Sequence, residues 1–495
     1  MSNTIITIAC IVGYFTLNAI FMRIFGRKQE TLEEYGVGSR SFSWFLVAFA
    51  YIGGWYTGSI YTGFFSNAAT LGVFAQYGIV YSATSLFIMY YMAKPVWVLG
   101  KVYNLETQAD IIGLRYGSRK FKFIFALLTL LFYSPWLIIE IKTIGYAVYA
   151  ATYSSVNFNI GLIIISAFVV GYSFLGGSRA SAIGGLVQGL TFTIVGTIAM
   201  YWLIVKAYGS FGELYDKVEE FNSGLLMIGA LGGKYWASVL IVCSLGGFAL
   251  PASTVSLYKA ESPRAAKKSV LFTPILGTIV GFILYSLGLG LTTFEDFPAD
   301  PQSAAFWISG KLGGPLMVGL LGILTLAAAA STISIVINCI SVLIAKDLIG
   351  TVNTRIDRKN LFKYARLVTI VAGIVSIVIA TMNIPNLMFM AISMYDCSAQ
   401  AFPAVFIGLF WRRANLPGVS LGFAVGCIFA LTGNFFPAYI AWAGGWTGGF
   451  LGLFFNALIV LVCGFIFKPS ARVDELFDTV RNYKFFYKKQ GADAA

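Results

Sequence analysis

The sequence of 495 residues contains no histidine, and only 11% of its residues are charged. The lack of histidine excludes histidine metal sites and histidine proton relays. Soluble proteins typically carry about 25% charged residues, so this low charge and the hydrophobic content of 58% indicate a chain that lies mostly in lipid. The sequence also lacks metal-ligand spacings, a phosphate-binding loop and a nucleophile with a credible base, and we therefore do not expect an enzyme.

Apolar runs follow one another along the whole chain. Each is close to the roughly 20 residues that a helix needs to cross about 30 Å of hydrocarbon, and no polar block of domain size separates them. The sequence therefore predicts one all-α integral membrane domain with about thirteen transmembrane helices. The predicted spans are residues 4–25, 42–66, 73–98, 121–150, 157–176, 181–206, 236–257, 269–292, 314–345, 366–383, 386–411, 416–434 and 440–467.

Basic residues are concentrated in alternate connections between the predicted spans. The connections on the opposite side of the membrane hold only Lys217, Lys234 and Lys311. By the positive-inside rule, this distribution predicts an external N-terminus and a cytoplasmic C-terminus. It also assigns the net charge of +13 to the lipid bilayer surface, so we expect no nucleic-acid partner.

Glycine pairs interrupt the second and seventh predicted spans at corresponding positions. The two stretches read AYIGGWYTGS (residues 50–59) and CSLGGFALPAST (residues 243–254). Paired interruptions of this kind indicate a binding site near the middle of the membrane in repeat-built transporters. Because glycine disfavours helix, we expect unwound backbone carbonyls at Gly53-Gly54 and at Gly246-Gly247.

Ionisable side chains inside spans are costly, so each is a candidate functional residue. Glu140 and Lys142 lie two residues apart and point about 200° away from each other, so we expect them to have different partners. Asp396 is the first candidate for holding a polar or cationic group of a solute, with Gln400 one turn along the same face. A structural hydrogen bond is the alternative role for Asp396, and packing is the alternative for Trp55. The candidate solute-site residues are Gly53, Trp55, Gln76, Glu140, Gly246, Gly247, Asp396 and Gln400.

Five short strings occur in order along the chain, spread from residue 33 to residue 418. They read EEYGVGSRSFSWF, TQADIIGLRYGSR, GGSRASAIGGLVQG, AAAASTIS and FPAVFIGLFWRRANLPG. Together they resemble the sodium:solute symporter family, which includes the proline, pantothenate and sugar cotransporters. The resemblance implies a LeuT-like core of two inverted five-helix repeats. The implied divisions are a leading helix and loop (1–40), a first repeat (41–206), a second repeat (207–413, including the loop 207–235), two extra helices (414–467) and a cytoplasmic tail (468–495).

The resemblance also implies a sodium site. In the family, adjacent hydroxyls of the span that corresponds to 314–345 bind sodium, and these become Ser331 and Thr332. They act with a small residue three positions earlier and with carbonyls of the first broken helix. Carried onto this sequence, these groups are Ala328, Ala48 and Tyr51, or Phe49 and Ile52 in place of the last two if the alignment slips by one.

An alternative role and a departure accompany this sodium site. Ser331 and Thr332 could bond only the preceding turn of their own helix, while Ala327 to Ala330 allow close helix packing. Many family members carry a Thr-Asp pair where this chain has Gly184 and Gly185. The missing carboxylate favours a mechanism with a single sodium ion.

The function implied by the resemblance is sodium-coupled symport of a small polar organic solute into the cell. Alternating access would carry sodium and solute across a bacterial plasma membrane, and no obligate protein partner is predicted. A proton-coupled symporter or a uniporter of the same fold is the alternative, since Glu140 or Asp396 could cycle a proton. A transporter-like sensor is less favoured, because the tail leaves no room for a signalling domain. Two buried acids and one lysine favour a zwitterionic or cationic solute.

Overall fold

The computed structural model describes residues 3–25, 29–382 and 387–483 of the chain. This part is helical, and its one β-bridge pairs Phe42 with Ala260. The helices of the first half are α1 (Asn3–Phe25), α2 (Leu32–Val37), α3 (Trp44–Trp55), α4 (Gly63–Leu71), α5 (Tyr77–Val102), α6 (Gln108–Tyr116), α7 (Arg119–Ala151), α8 (Phe158–Leu190), α9 (Thr197–Tyr208) and α10 (Phe211–Asn222). Those of the second half are α11 (Gly233–Ala249), α12 (Pro251–Lys259), α13 (Pro263–Gly290), α14 (Ala304–Val342), α15 (Gly350–Val352), α16 (Arg358–Ala380), α17 (Leu387–Ser398), α18 (Gly408–Phe410), α19 (Leu416–Phe435), α20 (Gly448–Ile466) and α21 (Val473–Asn482).

The described residues contain 10 helices that are long and apolar enough to cross a membrane, or 11 if the bent pair α11–α12 counts as one span. Two further predicted spans, 42–66 and 386–411, are interrupted in the structure, because α3 and α17 are each only 12 residues long. The chain is a multi-pass membrane protein. The count of thirteen and the orientation of the termini stay predictions.

Helix α14 lies at the centre of the molecule and packs against α1, α3, α7, α8 and α16. In its most apolar window, 89% of the residues are buried, more than in any other of these helices in the described chain. The run Ala327 to Ala330 is almost fully buried, and its small side chains allow the close approach of neighbouring helices. Gly314 bends the helix near its start, with a φ of +65°. Ser331 and Thr332, which follow the alanine run, are also buried in the core.

Both predicted helix breaks exist, but each lies a few residues beyond its glycine pair. Helix α3 continues through Gly53-Gly54 and ends at Trp55, and α11 continues through Gly246-Gly247 and ends at Ala249. The prediction of unwound carbonyls at the glycine pairs was therefore wrong. A single helical glycine costs only about 1 kcal/mol. At the second break, Pro251 keeps Leu250 extended (φ −62°, ψ 139°), and α11 and α12 meet at 44°.

The glycine pairs serve close packing instead. A Cβ atom on Gly53 would lie 2.5 Å from Ser331 Oγ and 3.1 Å from the backbone of Gly185. A Cβ atom on Gly246 would lie 2.7 Å from the carbonyl oxygen of Tyr395. Glycine at these positions therefore allows α3 to contact α8 and α14, and α11 to contact α17.

Candidate functional site

The first break is closed by a carboxylate from another helix. Helix α3 ends at Trp55, and a short 3-10 helix begins at Gly58. The side chain of Glu140 on α7 is fully buried, and its Oε2 accepts the backbone N–H of Gly58 at 2.9 Å. The hydroxyls of Thr57 and Ser59 also bond this carboxyl group. A carboxylate at this position satisfies a free N–H and interacts favourably with the positive end of the helical segment.

Helix α14 presents its two hydroxyls to the last turns of α3. Thr332 Oγ1 lies 3.0 Å from the carbonyl oxygen of Ala328 and 3.3 Å from that of Gly53. Ser331 Oγ is buried, has no hydrogen-bond partner, and points towards Gly53 and Gly185. The structure therefore brings together oxygen atoms that a dehydrated cation would use.

Two predicted ligand residues of α3, Ala48 and Tyr51, make contacts with α13 and α12. The carbonyl oxygen of Ala48 faces the hydroxyl of Thr273 on α13, at 3.3 Å. The hydroxyl of Tyr51 donates to the carbonyl of Ser253 in the second broken helix, at 2.9 Å. Gly53 is the α3 residue whose carbonyl contacts Thr332. The choice of α3 carbonyls stays a prediction.

The second break is closed by neutral groups. Gln108 of α6 donates from Nε2 to the carbonyl of Ala249 at 2.9 Å and contacts Thr254 Oγ1 at 3.2 Å. Ser253 Oγ donates to the carbonyl of Gly247 at 2.9 Å. Helix α6, which lies in the connection between α5 and α7, therefore bears directly on the kink between α11 and α12.

Trp55 and Trp136 stand between two small cavities. The first, which we call the central cavity, is also lined by Thr57, Tyr81 and Ser82, and the indole N–H of Trp55 donates to Ser82 Oγ at 2.5 Å. Each cavity encloses about 20 Å³, room for about one water molecule. An organic solute could enter only if these two rings moved apart. A Cβ atom on Gly247 would lie 3.1 Å from the Trp55 ring, so both broken helices meet here.

Asp396 and Gln400 lie elsewhere. Asp396 lines a separate, larger cavity beside α19 and α20, which we call the lateral cavity. Gln400 is fully buried and donates to the carbonyls of Asp396 (2.9 Å) and Gly449 (3.0 Å). The structure therefore brings these two residues neither to the central cavity with Trp55 nor to the first break with Glu140.

The remaining candidates are placed as follows. Gln76 ends a short turn two residues before Gly78, which lines the central cavity. Lys142 donates from Nζ to the carbonyl of Met382 at 2.7 Å. Glu140 and Lys142 thus have different partners, as their spacing predicts.

Sequence reasoning did not single out three residues of this arrangement. Gly58 sits so close to α14 that a Cβ atom would lie 2.6 Å from the carbonyl oxygen of Thr325. Gln108 lies in the string TQADIIGLRYGSR, which in the sequence served only to identify the family. Gly185 was noted as a missing acid, whereas in the structure it lets α8 approach Ser331. The one sequence signal for the true position of the first break was the turn-forming string TGS, residues 57–59, which follows the first glycine pair.

Two broken helices that meet beside a buried hydroxyl-bearing helix, among helices apolar enough to cross a membrane, are typical of membrane transporters. The model of the sodium:solute symporter family matches residues 35–426, and the chain belongs to this family. The uncharacterized symporter YhjB of Bacillus subtilis is 22% identical over 93% of this chain and 97% of its own. The sodium/pantothenate symporter of Escherichia coli is 24% identical over 85% of this chain and 88% of its own.

A solved structure shows the same fold. It is that of a sodium-coupled sialic acid symporter in a substrate-bound, outward-open state, and it superposes with a TM-score of 0.77. The match covers 94% of this chain and 98% of the other at 16% identity, so it concerns the fold alone. The LeuT-like fold implied by the sequence strings is confirmed, and the family is one of transporters, not of enzymes.

Proposed function

We propose that this protein is a sodium-coupled symporter that carries a small polar organic solute into the cell by alternating access. The observation that carries the proposal is the buried Ser331 hydroxyl, which has no partner and faces the backbone of α3 and α8. Membership of the family supports sodium as the coupling ion.

The cation site is proposed to lie between α14 and α3. Ser331 Oγ, Thr332 Oγ1 and the carbonyl oxygen of Ala328 supply three hard oxygens on α14. Carbonyls of α3 complete the shell, either Ala48 and Tyr51 or their neighbours one residue on. Sodium without water needs about five or six such oxygens, and a membrane interior can supply them without a full charge.

Solute is proposed to bind in the central cavity, between Trp55 and Trp136. The cavity is too small for a solute in this conformation, so binding requires a rearrangement around these rings. The carbonyl of Gly53 contacts Thr332 of the proposed cation site, and Gly53 lies two residues before Trp55. A cation that orders the end of α3 would thus favour the conformation that accepts solute. By linkage, sodium and solute must then raise each other's affinity by the same factor.

The metal alone provides the first test. The purified protein is unfolded by heat in sodium chloride and in potassium chloride at equal ionic strength. A ligand that binds only the native state raises the midpoint, so we expect a higher midpoint in sodium. The shift should disappear in Ser331→Ala and in Thr332→Val and remain in Ser341→Ala, a matched hydroxyl on the same helix that bonds Thr369 at 2.8 Å. Equal midpoints in the two salts would count against the site.

Transport provides the second test. Reconstituted vesicles are screened with labelled metabolites for uptake driven by a sodium gradient and, separately, by a pH gradient without sodium. The proposed mechanism requires uptake with the sodium gradient only. Accumulation of a solute with the pH gradient alone would instead support the proton-coupled alternative.

The position of Glu140 favours proton-coupled symport as a second candidate function. Its carboxyl group is fully buried at the first break, where the N–H of Gly58 and the hydroxyls of Thr57 and Ser59 bond it. In a proton-coupled symporter, Glu140→Gln should retain the fold and abolish the response to pH. In a sodium-coupled symporter, the same variant should retain sodium-dependent stabilisation.

A further inference from the structure

The lateral cavity lies between α11, α17, α19 and α20 and has a volume of about 400 Å³. This volume lies within the range of sites for small organic molecules. Its lining includes Tyr235, Phe389, Ser393, Asp396, Asn434 and Trp446. Most of the lining comes from α17 and from the connection between α19 and α20, and no lining residue is shared with the central cavity.

Asp396 is the single charged side chain among these described lining residues. It is only 3% exposed, and its Oδ1 is buried without a partner against Gly449. Asn434 bonds to the Asp396 carboxylate but supplies no positive charge, and its own Nδ2 donates to the carbonyl of Ala430 at 3.0 Å. Lys234 lies at the exposed rim near Gly444 and makes no ion pair within the described residues. A buried carboxylate without a cation is costly, and it points to a ligand that carries one.

The walls of the cavity indicate which kind of cation fits. Tyr235, Phe389 and Trp446 contribute aromatic rings, while Ser393, Asn434 and Thr447 contribute few polar atoms. The Ser393 hydroxyl is already used, since it donates to Asn434 Oδ1 at 2.9 Å. A bare metal ion would need five or six oxygens, whereas an ammonium group needs one carboxylate and the faces of rings. Organic ammonium therefore fits better than inorganic cations.

We propose that the lateral cavity is a second binding site, specific for an organic ammonium ion. The ammonium group pairs with Asp396, and the apolar part of the ligand packs against Tyr235 and Trp446. This site is additional to the proposed cation and solute sites, and its occupation needs neither sodium nor transport.

Helix α17 connects the two cavities. Tyr395 contacts two residues that line the central cavity: its hydroxyl bonds that of Tyr81 at 3.1 Å, and its ring meets Trp136 edge-to-face at 5.9 Å. The next residue, Asp396, faces the lateral cavity. Gly246 packs directly on the Tyr395 carbonyl. An ammonium ligand that contacts α17 and Tyr235 of α11 should therefore change the affinity of the central cavity, and a solute there should change the ligand's affinity equally.

The test uses choline and its uncharged carbon isostere, 3,3-dimethylbutan-1-ol, with the full-length protein in potassium chloride. We expect choline to raise the unfolding midpoint in a saturable way and the isostere to leave it unchanged. Asp396→Asn should weaken choline binding by roughly tenfold or more, because an ammonium held by a carboxylate and rings loses its charge partner. Asp296→Asn, at an exposed acid, should bind choline as the native protein does.

Hydrogen exchange on the native protein covers the case in which Asp396→Asn does not fold. Choline should protect the backbone of residues 387–398 and 437–448 more than that of residues 55–61. Three results would overturn the proposal: no stabilisation by choline, equal stabilisation by the isostere, or loss of the choline effect in Glu140→Gln but not in Asp396→Asn. The last result would place the ammonium ion in the central cavity.

Discussion

The two broken helices differ in how their free backbone groups are satisfied. At the first break, the carboxylate of Glu140 accepts the N–H of Gly58 at 2.9 Å, at the start of a helical segment. At the second, the neutral amide of Gln108 donates to the carbonyl of Ala249 at 2.9 Å, at the end of α11. At the first break, a buried carboxyl group of α7 thus accepts the free backbone N–H. At the second, an amide of the connecting helix α6 donates to the free carbonyl.

This difference suggests different roles for the two breaks. The N–H of Gly58 and the hydroxyls of Thr57 and Ser59 all bond the Glu140 carboxyl group, and each such bond contributes at least about 0.5–1.5 kcal/mol. The first break should therefore keep its shape, while the second can change at lower cost. Helix α6 also carries Asp110, which pairs with Lys346 at the end of the hydroxyl-bearing segment (2.7 Å). Movement at the second break can thus be transmitted through α6, Asp110 and Lys346 to the C-terminal end of α14.

The largest effect should come from Glu140→Ala. It leaves the Gly58 N–H without its acceptor and opens a void in a fully buried position. We expect a loss of about 3 kcal/mol of stability, measured by thermal unfolding in detergent, together with loss of uptake.

Glu140→Gln is the matched control for this change. It retains an acceptor of similar size, so it should cost less than half as much. If Glu140→Ala were as stable as the native protein, the contrast between a fixed and a changeable break would be wrong.

Gly53→Ala tests the first break without removing a hydrogen bond. The new Cβ atom would lie 2.5 Å from Ser331 Oγ, so the serine side chain must turn away. We expect the apparent sodium affinity to fall at least about tenfold, equivalent to about 1.4 kcal/mol, while the protein still folds. Gly171→Ala on α8 is the control, because nothing lies within 4 Å of its Cβ position. Unchanged sodium affinity in Gly53→Ala would separate Gly53 from the cation site.

Gln108→Ala should have a smaller effect on stability. It removes a neutral donor from the carbonyl of Ala249, and we expect a loss of about 1 kcal/mol. The rate of uptake per folded protein should also fall, because the second break is the one expected to move. Uptake that falls only in proportion to stability would show that α6 is merely structural.

The fold followed from patterns that are local and repeated. Apolar length gave the spans, and the order of five strings gave the family, since lipid leaves few alternatives to helix. The positions of the breaks did not follow, because a glycine pair looks the same whether it unwinds a helix or admits a neighbour. Gly53 and Gly246 do the latter, and only the partner atoms on α14 and α17 reveal it.

The candidate site followed from the sequence in part. Ser331, Thr332, Glu140 and Trp55 do lie around the first break. Asp396 and Trp136 could not be assigned to a cavity from periodicity, because a helix such as α17 presents adjacent residues to different neighbours. The role of Gln108 depends on a contact between residues 141 positions apart along the chain, which no local pattern records.

The smallest expected change is in the pH dependence between pH 7 and pH 5, and it concerns Asp110, which pairs α6 with Lys122 and Lys346. Burial would raise the pKa of its carboxyl, but the ammonium groups of Lys346 and Lys122 hold that pKa well below its ordinary value. The ionised form therefore stabilises the fold above the unfolded-state pKa of about 3.9, and this contribution is lost as the pH falls below it. Between pH 7 and pH 5, the difference in unfolding midpoint between the native protein and Asp110→Asn should stay constant. Below about pH 4 the difference should shrink, and a difference that instead grew with acid would show that Asp110 is not held in its ionised form.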